Sequence, residues 1–114
     1  MKSVAMHVLA LGGTVWLLCA PLAAAAEPDE ETMALGKEVF LERAKPACGL
    51  CHTLADAGTE GSVGPVLDDL KPDAERVRQA VVNGIGPMRP YKDLSEEEVE
   101  ALGVYLAAVT GGAQ

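Results

Sequence analysis

The sequence has few aromatic residues and few basic ones. Aromatic residues make up 4% of its 114 positions, and nine lysines and arginines stand against 17 aspartates and glutamates, for a formal net charge of −8. Because the chain lacks the clustered lysines and arginines that neutralise phosphates, a polybasic nucleic-acid binder is excluded. The length also excludes a multi-domain enzyme, since one domain usually takes about 100 to 150 residues.

The first 26 residues differ in composition from the rest. They contain one charged residue, Lys2, which is followed by an apolar stretch over residues 4–19 and a run of small residues over 23–26. This order is typical of a secretory signal peptide. Polar residues and glycines interrupt the stretch, which therefore falls short of the roughly 20 apolar residues that span a bilayer. We expect cleavage after Ala26 and a periplasmic mature protein, residues 27–114, without a membrane span.

The mature segment is a small acidic domain with little material for a core. Removing Lys2 with the first 26 residues changes the formal net charge from −8 to −9. Only Phe40, Tyr91 and Tyr105 remain as aromatic residues, and aromatic rings normally contribute the largest buried areas. Because a chain of this size buries only about 60 to 65% of its unfolded surface, we expect a ligand to supplement the core.

Three segments have the apolar periodicity of helices. The first spans residues 32–44, the second spans residues 73–83, and the third begins at a Ser95–Glu98 capping box and ends at Gly111. Gly36 lies on the apolar face of the first helix. It could simply destabilise the helix, by about 1 kcal/mol relative to alanine, or it could mark a close contact with another helix. No run alternates with a period of two, so we expect no β-sheet of consequence.

Two irregular segments separate these helices. Three glycines and two prolines lie in residues 53–72, and one glycine and two prolines lie near Met88 in residues 85–94. A structureless loop of the first length is unusual in so small a domain. It indicates that a bound group organises this part of the chain.

Cys48-Gly49-Leu50-Cys51-His52 is a C-x-x-C-H sequence, the attachment site of haem c. Each thiol can add to one haem vinyl group, and the adjacent histidine can bind the iron. Three alternatives are less consistent with the sequence. A redox dithiol would be expected in a βαβ setting, and a zinc site would need four ligands, whereas residues 27–114 contain only three cysteines and histidines. A disulfide that closes a loop of two residues would add little stability. We therefore predict one haem c attached through Cys48 and Cys51, with His52 as an iron ligand.

A second axial ligand is expected from a downstream segment. His52 is the one histidine of residues 27–114, which makes methionine the candidate, and Met/His coordination is typical of electron transfer. Met88 lies in a proline-rich loop, whereas core packing explains Met33. The second ring nitrogen of His52 needs a fixed acceptor, and the Pro65 carbonyl is a candidate, although the proline could equally serve only to shape its loop.

Together these motifs resemble those of class I c-type cytochromes. The similarity rests on Gly36-x-x-x-Phe40, Cys48-x-x-Cys51-His52, Gly64-Pro65-x-Leu67, Met88-x-Pro90-Tyr91 and Leu102-x-x-Tyr105-Leu106. It implies an all-α cytochrome c fold, with three to four helices around one covalently bound haem c and with the first and last helices crossing. It also implies that Pro65 accepts the hydrogen bond of His52, that Met88 is the sixth ligand, and that Leu67 and Tyr91 belong to the haem site.

Segments 46–48, 54–58, 63–70 and 82–88 are also similar to the small cytochrome c subunits or acceptors of bacterial sulfite dehydrogenases. This similarity implies a molybdenum enzyme as electron donor and another cytochrome or an oxidase as acceptor. We predict a one-electron carrier that is not an enzyme and that works as a monomer or in transient complexes with these redox partner proteins. The alternatives are a permanent subunit of a dehydrogenase complex and a haem peroxidase or gas sensor, which needs a vacant sixth position.

Overall fold

The computed structural model describes residues 26–112 together with residues 12, 20 and 21, so most of the predicted signal peptide lies outside the described residues. Four α-helices confirm the predicted fold class. The elements are α1 (Glu30–Glu38), a π-helical turn (Val39–Arg43), a 3₁₀ turn (Cys48–Leu50), β1 (Thr53–Leu54), β2 (Thr59–Glu60), α2 (Leu67–Leu70), α3 (Ala74–Asn83) and α4 (Glu96–Thr110).

Helix α1 begins two residues earlier than the sequence pattern predicts. The Asp29 carboxylate accepts the Thr32 backbone N–H at 2.9 Å and so caps the helix. Two acidic residues in the first turn, Glu30 and Glu31, are favourable at the positive end of the helix dipole. The charged residues 27–31, which precede the predicted helix, are therefore partly helical.

Helices α1 and α4 approach most closely at Gly36. A Cβ atom placed there would collide with the Ala101 carbonyl oxygen and with Cβ of Tyr105. On either side of this contact Phe40, Leu102 and Tyr105 are almost completely buried. The prediction that Gly36 marks a helix contact is confirmed, because only a residue without a side chain permits this separation.

Helix α4 has the predicted capping box. The Ser95 hydroxyl accepts the Glu98 N–H at 3.1 Å, and the Glu98 carboxylate accepts the Ser95 N–H at 2.9 Å. Glu98 also pairs with Arg43 of the π-helical turn at 2.9 Å. The hydrogen bond from the Ser95 backbone and the contact with Arg43 both lower the pKa of Glu98, and the Ser95 bond has the larger effect. At its other end the helix stops at Gly111, whose φ of +79° suits glycine.

Helix α3 has the predicted position and connects to the loop that contains Met88. The Asp73 carboxylate caps it by accepting the Arg76 N–H at 2.7 Å, and Val77 and Val81 are buried. Gly84 ends the helix with a φ of +73°. Because α3 packs against α4, the start of the Met88 loop has a fixed place relative to the core.

Residues 53–72 contain more regular structure than the sequence pattern predicts. Strands β1 and β2 form a small antiparallel hairpin, and α2 follows it. The Thr59 hydroxyl donates to the His52 carbonyl at 2.9 Å, and the Asp68 carboxylate accepts the Ala55 N–H at 2.9 Å. These bonds between side chains and backbone leave no periodicity in the sequence, which explains why the short elements were not predicted.

The buried core lies where α4 meets α1 and α3, and it extends to the segments that carry the predicted site. Within the described residues, no helix has the length and apolar character needed to cross a membrane. The principal core residues are Val39, Phe40, Ala44, Cys48, Leu54, Leu67, Val77, Val81, Val99, Leu102, Tyr105 and Leu106.

Asp56 joins the hairpin to both terminal helices. The Tyr105 hydroxyl of α4 donates to its carboxylate at 2.6 Å, and the Lys37 ammonium of α1 lies 3.2 Å from the same carboxylate oxygen. Both contacts favour the ionised form and lower the pKa of Asp56, the tyrosine bond having the larger effect. The turn between β1 and β2 is thereby held against the helix pair.

We expect Gly36→Ala to destabilise the protein by about 1 to 3 kcal/mol through overpacking against α4. Helix propensity alone predicts the opposite, a gain of about 1 kcal/mol. Denaturant unfolding of the haem-containing protein measures the difference. The control is Ala34→Gly at an exposed position of α1, which should cost about 1 kcal/mol from propensity alone. A Gly36→Ala variant more stable than wild type contradicts the close contact.

We expect Asp56→Asn to lower stability at neutral pH and to have a diminishing effect in acid. The folded pKa of Asp56 is lowered, so its contribution is present above the unfolded pKa and is lost as pH falls through the folded value. Because the carboxylate is largely solvent-exposed, the loss should stay below about 1 kcal/mol. Urea unfolding of both proteins from neutral pH to about pH 2.5 tests this. Exposed Asp69→Asn is the control, and a pH-independent difference contradicts the prediction.

Candidate functional site

The C-x-x-C-H motif folds as a tight turn. The backbone N–H groups of Cys51 and His52 both donate to the Cys48 carbonyl, at 3.2 and 3.0 Å. No disulfide joins the two cysteines, and burial raises the pKa of the Cys48 thiol to about 11. A reactive dithiol requires a lowered thiol pKa, so the environment of Cys48 does not favour the redox dithiol alternative.

The His52 ring is oriented by a single carbonyl. Its Nδ1 lies 2.8 Å from the Pro65 carbonyl oxygen. A carbonyl can only accept a hydrogen bond, so Nδ1 must carry the proton and donate it. In the neutral ring this leaves the lone pair on Nε2 for a metal ion.

Gly64 allows the Pro65 loop to reach the histidine. A Cβ atom on Gly64 would lie 2.5 Å from Cε1 and 2.8 Å from Nδ1 of the His52 ring. The Gly64 N–H donates to the Cys51 carbonyl at 2.8 Å, which fixes the loop against the attachment turn. The sequence motif Gly64-Pro65-x-Leu67 includes this glycine but does not predict its contact with the histidine ring.

Met88 lies at the end of a tight turn. The backbone groups of Ile85 and Met88 exchange two hydrogen bonds of 3.0 Å around the pair Gly86 and Pro87. Gly86 has a φ of +53°, whereas proline is restricted to about −65°, so the turn needs this order of residues. A Cβ atom on Gly84 would lie 2.8 Å from the Met88 carbonyl oxygen. The Met88 side chain is half-buried and packs against the core.

Tyr91 has contacts that the sequence did not predict. Its backbone N–H donates to the Val81 carbonyl of α3 at 2.8 Å. Its hydroxyl donates to the Pro46 carbonyl at 2.8 Å, two residues before Cys48. Burial is the main cause of the raised pKa of Tyr91. No local sequence pattern predicts this bond, because its two residues are 45 positions apart.

Four of the predicted site residues belong to the core or pack against it. Leu67, the first residue of α2, is buried in the same cluster as Cys48, and Met88 and Tyr91 pack against that cluster. Within the described residues, no group of three cysteine, histidine, aspartate or glutamate side chains is placed to hold a metal ion. The zinc alternative therefore finds no support in this part of the chain.

Exposed apolar side chains are concentrated on or near the segments that carry the candidate ligands. Of the six large apolar residues exposed among residues 26–112, five lie on or next to the segments that carry the candidate ligands. A broad apolar group bound between these segments would cover such side chains and gain hydrophobic stabilisation. The residues present therefore fit a haem. The five are Leu50, Val63, Val66, Val82 and Ile85.

Comparisons with known proteins agree with this arrangement. Residues 31–106 match the family described as cytochrome c oxidase, cbb3-type, subunit III. The chain is similar to the crystal structure of the c-type cytochrome SorU from Sinorhizobium meliloti, with 58% identity and a TM-score of 0.71 over 75% of this chain and 99% of that one. A comparison with curated proteins gave no match. With the C-x-x-C-H turn and the oriented histidine, these similarities show that the chain belongs to the c-type cytochromes.

Proposed function

We propose that this protein is a periplasmic one-electron carrier with a single haem c bound by His52 and Met88. The observation that carries the proposal is the 2.8 Å contact between His52 Nδ1 and the Pro65 carbonyl. It fixes the tautomer and the ring orientation that an axial ligand needs. When bound, haem c supplies a one-electron couple between ferric and ferrous iron.

The remaining residues have complementary roles in this proposal. Cys48 and Cys51 attach the group covalently, and the short turn between them sets their spacing. His52 and Met88 occupy both axial positions, so no position stays open for a substrate. Leu67 and Tyr91 pack beside the group. An arrangement with two protein ligands supports electron transfer and disfavours the peroxidase and gas-sensor alternatives.

The proposed electron donor is a sulfite dehydrogenase, and the proposed acceptor is another cytochrome or an oxidase. Support comes from the sequence similarity to cytochromes of bacterial sulfite dehydrogenases and from the 58% identity to SorU. Redox encounters of this kind are usually small and brief. With a formal charge of −8 for the full chain, we propose that the donor presents a basic surface.

We expect Met88→Ala to lose the weak far-red absorption band that reports a methionine bound to ferric haem. The reason is that Met88 supplies the sulfur ligand. Absorption spectra of the oxidised and reduced proteins measure the effect. Met33→Ala is the matched control, because Met33 is also half-buried but lies on α1. Retention of the band in Met88→Ala, or its absence from the wild-type protein, contradicts the assignment.

We expect the reduction rate by a purified bacterial sulfite dehydrogenase to fall with ionic strength, by about tenfold or more between low and high salt. Salt screens the attraction between the acidic carrier and a basic surface on the donor. Stopped-flow measurements with the two separately purified proteins test this transient contact. A rate that does not change with salt counts against electrostatic steering, and an absence of electron transfer counts against this donor.

A further inference from the structure

The loop that carries Met88 is held on two sides by different contacts. On one side the backbone binds α3, through the Gly84 N–H to the Ala80 carbonyl and the Tyr91 N–H to the Val81 carbonyl, both at 2.8 Å. On the other side, one hydrogen bond among the described residues joins residues 85–94 to residues 44–52. This is the 2.8 Å bond from the Tyr91 hydroxyl to the Pro46 carbonyl.

The two segments do not pack tightly around this bond. A cavity of about 240 Å³ lies beside the bond, and residues 90–94 of the loop line it together with Arg43 and Lys45. A space of this size admits water. Tyr91 and Leu94 also pack against the core, but this packing leaves the gap open, and the Tyr91 hydroxyl makes the hydrogen bond that crosses it.

The bond connects the two halves of the proposed haem site. Pro46 lies two residues before Cys48, the first attachment position, and Tyr91 lies three residues after Met88. The tether therefore runs directly from the segment that attaches the haem to the loop that supplies its second ligand. Because Met88 and Tyr91 share one short loop, an outward movement of Tyr91 also moves Met88.

We propose that Tyr91 is a positioning residue that keeps Met88 on the iron by tethering its loop to the Pro46 carbonyl. This inference rests on the proposed function, in which Met88 is the sixth ligand. Tyr91 acts through the loop, and its hydroxyl needs no contact with the haem for this role. Without the tether, the backbone bonds to α3 remain, so the loop stays folded but opens more often.

The opening can be measured with an external ligand. Imidazole binds the ferric iron only after Met88 has left, so its apparent affinity is proportional to the fraction of open loop when that fraction is small. Loss of one neutral hydrogen bond should increase this fraction about two- to tenfold. Tyr91→Phe removes the hydroxyl and keeps the ring. We therefore expect it to raise the apparent imidazole affinity of the ferric protein by this factor.

Tyr105→Phe is the matched control. Tyr105 also donates its hydroxyl to one acceptor, the Asp56 carboxylate at 2.6 Å, but it lies on α4 and this bond does not involve the Met88 loop. Its loss should lower global stability and leave imidazole binding unchanged. Denaturant unfolding of both ferric variants separates global destabilisation from loop opening, and the far-red band verifies that methionine is bound before each titration.

A selective increase in imidazole affinity for Tyr91→Phe supports the proposal. An unchanged affinity overturns it, and so does an equal increase in both variants, because that result assigns the effect to general destabilisation. If the wild-type protein lacks the far-red band, the ligand assignment of Met88 fails and the tether hypothesis fails with it. A wild-type band combined with an unchanged Tyr91→Phe affinity rejects only the tether.

Discussion

The hydrogen bond between the His52 ring and the Pro65 carbonyl determines how the middle of the chain must fold. The carbonyl can reach Nδ1 only if the loop passes against the ring, and Gly64 makes that passage possible because it has no Cβ atom. The same loop continues into α2, whose first residue, Leu67, is buried in the same core cluster as Cys48. One contact thus links the orientation of a candidate ligand to the path of the chain after it.

The loop that carries Met88 is held by a different set of contacts. Met88 comes after a two-residue turn whose geometry follows from the positive φ of Gly86 and the fixed φ of proline. Backbone hydrogen bonds then attach the loop to α3, and one phenol connects it to Pro46. The His52 ring is therefore held by a close backbone approach, whereas the Met88 loop combines partial packing against the core with a few hydrogen bonds beside a cavity.

Local sequence signals predicted the parts of the fold that depend on local physics. The capping box at Ser95 and the helix end at Gly84 depend only on residues that are close together in the sequence, and the structure confirms both. Gly36 was ambiguous until α4 was seen against it. The hairpin and α2 were not predicted because they are too short to show a periodic pattern. The bond of Tyr91 to Pro46 was not predicted because it joins residues 45 positions apart. Contacts of this kind leave no periodic pattern and no compositional signal in the sequence.

The shortage of aromatic residues explains why these distant contacts matter. Phe40 and Tyr105, two of the three aromatic rings of residues 27–114, are buried near the contact of α1 with α4, so that half of the domain has a conventional core. The loop half has Tyr91, only partly buried, and several exposed apolar side chains. Hydrophobic burial there requires an apolar partner that the chain itself does not provide. In a c-type cytochrome that partner is the haem, so the group that transfers electrons also completes the weaker half of the fold.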